Sequence, residues 1–249
     1  MTSIDARKAA LRDRCWAALE TSGDARPPGT RGRIPNFAGA YDAARRLAED
    51  PRFRAAAVIK CNPDTPQAHV RLAALEAGKT LLMAVPRLAG EAPFLRLDGR
   101  SLSAAQRREA ADRRGMTRLA APVRVEALSR VDLIISGCVG VTREGARLGK
   151  GGGYADLEFA LLAALGAIEP DVPVFTTVHP TQLLENGAIP MNDHDVTLDA
   201  VFTPLGRIAC SRGRARPRGI DPRLLTDERA SAMPPVARHL AREPKRDDT

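Results

Sequence analysis

The stretch from Ala55 to Val85 constrains the fold more than any other part of the chain. Ala55 to Ile59 reads as a short buried strand ending at Lys60, Pro66 opens a helix that runs to Ala77 and finishes at Gly78, and Thr80 to Val85 is a second apolar strand. Proline suits a first helical turn, where an N–H has no intrahelical partner, and glycine suits a helix C-terminus because it enters the left-handed region without Cβ strain. Strand, helix and strand at this spacing make a crossover unit of a parallel sheet. The pattern continues with a strand from Val131 to Ser136, a helix from Tyr154 to Leu165, and strands from Val172 to Val178 and Val196 to Phe202. The predicted fold class is therefore α/β: a mostly parallel, Rossmann-like sheet with helices on both faces, which places ligands outside the carboxyl ends of the strands.

Before this core, Ile4, Leu11, Cys15 and Leu19 recur at helical spacing, with Lys8 and Arg12 one turn apart in or beside the stripe. Cations so close to an apolar stripe invite a ligand. Asn36 is the expected cap of a second helix reaching Asp50, which Pro51 would stop. Between Gly90 and Pro122 only Leu102 to Arg114 looks helical, and the rest is expected to be loop. With 249 residues and 44% hydrophobic content, one sizeable core is expected over residues 1–210. Residues 211–249, basic and rich in Pro, Arg and Asp, are expected to form a disordered tail.

The N-terminus and the later segments lack the apolar run of a signal peptide or membrane span, so a soluble, cytoplasmic protein without a membrane partner is expected. The four cysteines lie far apart, with no Cys-x-x-Cys pair to suggest zinc or a redox couple. A formal charge of +8 suits an anionic partner: nucleic acid, a membrane surface or a small anion. Aromatic residues make up only 4% and the base-stacking strand motif is absent, which weighs against nucleic acid.

The run Arg147-Leu148-Gly149-Lys150-Gly151-Gly152-Gly153-Tyr154-Ala155-Asp156 lies between a strand and a helix. Glycines let the backbone approach phosphate oxygens, the helix start offers free N–H groups, and Arg147 and Lys150 add cations. Asp156, just inside the helix, is placed to share a magnesium ion with phosphate. The run is neither a Walker loop, since Gly151 follows Lys150, nor a dinucleotide fingerprint, since Tyr154 replaces the last glycine. Lys60 and Asn62, at the carboxyl end of a strand, are candidate substrate contacts.

The stretch from Gly140 to Gly149, followed by Gly151-Gly152-Gly153-Tyr154 and Asp156, resembles the signature of 5-formyltetrahydrofolate cyclo-ligases. Lys8-Ala9-Ala10-Leu11-Arg12 is similar to that family's ATP-contacting helix, and Ile189-Pro190 with His194-Asp195-Val196 and Asp199 to its C-terminal motif. Arg33 to Phe37, Ile59 to Asp64, Gly78 to Leu82 and Pro86-Arg87-Leu88 resemble a divergent branch, the methenyltetrahydrofolate synthetase domain-containing proteins. The resemblance implies an enzyme, an ATP-dependent cyclo-ligase with a folate or related small-molecule substrate, ATP as cosubstrate and Mg2+ as the ion. It implies that Lys8 and Arg12 meet ATP or substrate, and that Arg147, Gly149, Lys150, Gly151, Gly152, Gly153 and Tyr154 wrap the nucleotide, with Lys150 and Tyr154 nearest the chemistry. Asp156 and Asp195 would serve magnesium, although a capped turn explains Asp195 equally well. In the resembled reaction the formyl oxygen attacks the γ-phosphate, and a neighbouring amine then displaces phosphate as the methenyl ring closes. Two departures stand out: Asn62 replaces an acidic folate-contacting residue, and Ala155 replaces a second tyrosine. They predict weak cyclisation of 5-formyltetrahydrofolate and a related preferred substrate.

Overall fold

The computed structural model describes residues 3–211, 213–221 and 225–242. Helix α1 (Ile4–Thr21) starts where the Ser3 side chain accepts from the Ala6 N–H. Two short strands follow, β1 (Ala25–Arg26) and β2 (Asn36–Phe37), and then helices α2 (Ala40–Glu49) and α3 (Pro51–Ala55). Asn36 is not the cap expected from the sequence. It lies in β2 with its Nδ2 donating to Pro27 O at 3.0 Å, and Gly39, at φ 79°, precedes α2 instead. A Cβ on Gly39 would sit 2.6 Å from the Pro204 ring, so glycine is required there twice over. Pro51 likewise starts α3 under an Asp50 cap, which pushes the next strand on to β3 (Val58–Cys61).

The chain continues through α4 (Ala68–Glu76), β4 (Thr80–Ala84), β5 (Phe94–Asp98), α5 (Ala104–Ala111), α6 (Arg113–Leu119) and β6 (Ala121–Val123). Strands β5 and β6 occupy ground expected to be loop. Each is short and lies beside or contains Gly90, Pro93 or Pro122, and β5 buries Phe94 and Leu97 three residues apart on opposite faces, so no alternation stands out. Then come β7 (Leu133–Ile135), β8 (Gly140–Thr142), β9 (Arg147–Leu148), α7 (Tyr154–Ala164), β10 (Val174–Thr177), β11 (Leu183–Leu184), β12 (Ala200–Thr203), β13 (Gly206–Ala209), α8 (Asp227–Ser231) and α9 (Pro234–Arg242).

The main sheet has eight strands in the order β13-β12-β10-β7-β3-β4-β5-β6. From β12 to β4 neighbours run parallel; β13, β5 and β6 each pair antiparallel with the strand before them. The pleat sends alternate residues to opposite faces. Leu133 and Ile135 join Leu47, Val70 and Leu75 from α2 and α4, whereas Ile134 joins Phe159 and Leu162 from α7. Helices therefore cover both faces, as the alternation in the sequence predicts. From β3 the chain runs outward through β4 to β6 and returns to β7 on the other side, so the strand order reverses between β3 and β7. The crevice outside the carboxyl ends of these two strands is where such sheets bind ligands.

Part of the expected tail is helical and packs on the core. Met233 and Val236 are buried and Leu240 half-buried, all in the apolar cluster that holds Phe159. Their spacing of three and four residues is a helical stripe inside an arginine-rich composition. Residues 212, 222–224 and 243–249 of that tail lie outside the described residues. No helix among the described residues is long and apolar enough to cross a membrane.

Candidate active site

A cavity of about 580 Å3 opens at the β3/β7 crossover. Its walls are Asn62 and Asp64 from the end of β3, Gly137 after β7, the glycine run before α7, and apolar Met83, Val85 and Leu95. Gly151 and Gly153 have φ of 108° and 67°, a left-handed backbone that carries the chain round into α7. No side-chain hydrogen bond from Gly153 caps that helix, and the positive end of its dipole faces the loop. Helix α1 braces the loop from behind: Arg12 Nε donates to Gly149 O at 2.7 Å, and the Arg12 guanidinium lies 3.5 Å from where a Gly151 Cβ would sit. Burial lowers the Arg12 pKa, with Asp5 and Asp195 opposing that shift.

Two buried ion pairs fix the cations near the loop. Arg147 donates to Asp156 Oδ1, which also accepts from the Val196 N–H at 3.0 Å. Burial, the largest single influence, would weaken the Arg147 charge, but Asp156, Cys138 and Asp195 together outweigh it and raise the guanidinium pKa above its ordinary value. Lys8 Nζ donates to Asp195 Oδ2 at 2.5 Å, and the same oxygen accepts from Asn192 N at 2.6 Å. Lys150, half exposed, reaches Asp64 Oδ1 at 3.2 Å.

The floor of the cavity is polar and buried. Lys60, at 2% exposure, donates to Glu158 Oε2, and Asn62 Nδ2 donates to the same oxygen at 3.3 Å. Asn62 Oδ1 accepts from the Gly137 N–H at 3.3 Å. Arg71, 1% exposed, clamps the strand end by donating to Asn62 O at 2.6 Å, Asp64 O at 3.0 Å and Ala111 O at 2.8 Å.

Residues 4–204 match the 5-formyltetrahydrofolate cyclo-ligase family. This chain belongs to that family. Among relatives, the methenyltetrahydrofolate synthase domain-containing protein of Mus musculus is 37% identical over 214 residues, covering 86% of this chain and 58% of the relative. Its Bos taurus counterpart is 35% identical over 225 residues, covering 90% and 59%. The chain thus spans under two thirds of these relatives. The NMR structure of Aquifex aeolicus 5,10-methenyltetrahydrofolate synthetase superposes with a TM-score of 0.52 at 17% identity, covering 84% of this chain and 95% of that one, a likeness of fold.

Of the residues singled out in the sequence, Arg147, Gly149, Lys150, Gly152, Gly153, Tyr154, Asp156 and Asn62 line the cavity. Lys8, Arg12, Gly151, Lys60 and Asp195 stand behind that wall. Lys60 and Asn62, expected to touch substrate, both bond Glu158, with Asn62 at the cavity wall and Lys60 behind it. Asp195, expected to ligate magnesium with Asp156, is bound to Lys8. Glu158 was missed, although a single carboxylate one turn after Tyr154 in the apolar run Leu157 to Leu165 is a legible signal. Burial pushes the Cys61 thiol up to about 11 and the Cys138 thiol up to about 12, which disfavours the reactive thiolate at both.

Proposed function

We propose that this protein is an ATP-dependent cyclo-ligase that activates the formyl or amide oxygen of 5-formyltetrahydrofolate, or a closely related compound, by phosphoryl transfer. The observation that carries the reading is the glycine loop ending in an uncapped helix at the mouth of the crossover cavity. The glycine backbone would let phosphate oxygens approach the positive end of the α7 dipole, and Lys150 and Arg147 would offset their charge. In the proposed reaction the substrate's formyl oxygen forms a bond to the γ-phosphorus while the bond to ADP breaks. The neighbouring amine then attacks the activated carbon and phosphate leaves. The chain's contribution is position and charge, since the second step is intramolecular.

Magnesium fits through one residue. Asp156 Oδ2 has no hydrogen bond among the described residues and the residue lines the cavity, so it can offer one hard oxygen, with phosphates and water filling the rest. Among the described residues no group of three or more acidic, His or Cys side chains could hold a metal unaided. Bound there, magnesium would neutralise charge on the transferring phosphate. Asp195 would position Lys8.

The test follows methenyltetrahydrofolate by absorbance alongside ADP release, with nucleotide binding measured separately. Product formation in the wild type, and strongly weakened Mg-ATP binding in a folded Gly152→Asp protein, are the expected results. ATP binding without turnover on any folate would leave a non-catalytic nucleotide binder. Unchanged affinity in Gly152→Asp would remove the loop from the site.

A further inference from the structure

We propose that Glu158 is the residue by which the cavity selects its second substrate, accepting an N–H donor of a heterocycle on the free carboxylate oxygen Oε1. The proposal rests on the cyclo-ligase reading of the cavity. Both protein hydrogen bonds to this carboxylate, from Lys60 and from Asn62, fall on Oε2. Oε1 has no partner among the described residues, and Glu158 lines the cavity while only 5% exposed. A charged carboxylate only accepts, so the ligand group that completes it must donate.

The surroundings are arranged to leave that one acceptor available. Lys60 neutralises the carboxylate in place, which offsets the cost of burying it. The Asn62 amide is oriented by one bond at each end, Nδ2 donating to Glu158 and Oδ1 accepting from the Gly137 N–H. Gly137 keeps the floor open, since a Cβ there would sit 2.9 Å from Asp64 Oδ2 and 3.1 Å from Gln67 Oε1. Glu158 also shares α7 with the phosphate loop. Five residues from Gly153, it lies about 7 Å further along the axis. One rigid helix therefore holds both the anion-binding end and the donor-reading end, so a ligand seated on Glu158 is set at a fixed distance from bound phosphate. The carboxylate that Asn62 lacks is in this way supplied from the neighbouring helix, and 5-formyltetrahydrofolate, with its ring amino group and adjacent N–H, remains an acceptable substrate.

The experiment compares wild type, the conservative Glu158→Gln and the charge-balanced Lys60→Met/Glu158→Leu, which removes the acceptor without leaving an unpaired buried ion. Each is titrated with Mg-ATP, with 5-formyltetrahydrofolate, and with its analogue carrying methyl in place of the ring amino group. Nucleotide affinity should be the same in all three. The double variant should bind 5-formyltetrahydrofolate about ten-fold more weakly or worse, with Glu158→Gln in between. Wild type should prefer the amino compound over the methyl analogue by about ten-fold, and the double variant should show no preference. Equal preference in wild type and the double variant overturns the role of Glu158 and leaves the cyclo-ligase reading intact. Wild type that binds Mg-ATP but neither folate overturns both.

Discussion

Asp156 and Asp195 look interchangeable in the sequence, two carboxylates beside a phosphate loop, yet their surroundings separate them. Asp195 commits Oδ2 to Lys8 and to the Asn192 N–H, with His194 Nε2 3.9 Å from its other oxygen. Asp156 commits only Oδ1. Each nevertheless holds a buried cation, and removing one member of a buried pair leaves a charge uncompensated at a cost of about 3–5 kcal/mol. Asp156→Asn and Asp195→Asn are both expected to lose stability on this scale in urea unfolding at neutral pH. Only Asp156→Asn should also raise the magnesium concentration needed for half-maximal turnover. A magnesium shift in Asp195→Asn instead would restore it as a ligand, and a wild-type urea midpoint in either variant would deny its ion pair any structural weight.

At the scale of elements, what could be read in the sequence was what local periodicity encodes. Helix α1, the β3-α4-β4 crossover and α7 are each continuous enough for a stripe or an apolar run to stand out, and the glycine run marks its own turn. Strands β5, β6, β8, β9, β11 and β13 have two to five residues, so their identity comes from the partners they pair with rather than from any internal pattern. The same holds for the floor of the cavity. Lys60 and Glu158 are separated by 98 positions, and no spacing in the sequence brings them together. The C-terminal helices were obscured by composition, since the Met233, Val236 and Leu240 stripe is thin among arginines. Their packing has a measurable consequence: Val236 is fully buried, and Val236→Asp places an unpaired charge in the cluster beneath α7. The variant should unfold at clearly lower urea concentration than wild type. An unchanged midpoint would mean that α9 adds nothing to the core.

Across the whole molecule, the charge of +8 finds a local expression at the cavity. Arg87, Arg113 and Arg114 line it from the β4 and α6 side, exposed and without an ion pair among the described residues, while Lys150 and Arg147 line the loop side. These five cations outnumber the three carboxylates of the lining, Asp64, Asp156 and Glu158, and a cleft of net positive charge raises the local concentration of an anionic ligand and speeds its capture. Salt screens this attraction over a length of about 8 Å at physiological ionic strength. The association rate constant of Mg-ATP, followed by stopped flow with a fluorescent analogue, should therefore fall as ionic strength rises. Arg113→Gln/Arg114→Gln should flatten the slope without changing the urea midpoint, because both side chains are exposed and unpaired. A flat salt dependence in the wild type would mean that the positive charge is spread over the surface rather than focused on the site. Strong competition by single-stranded RNA at the same ionic strength would point the cationic rim toward nucleic acid. The arrangement favours the small anion: arginines and a glycine loop enclose a cavity of about 580 Å3, a volume suited to a nucleotide and a small heterocycle, with no row of aromatic side chains for bases to stack on.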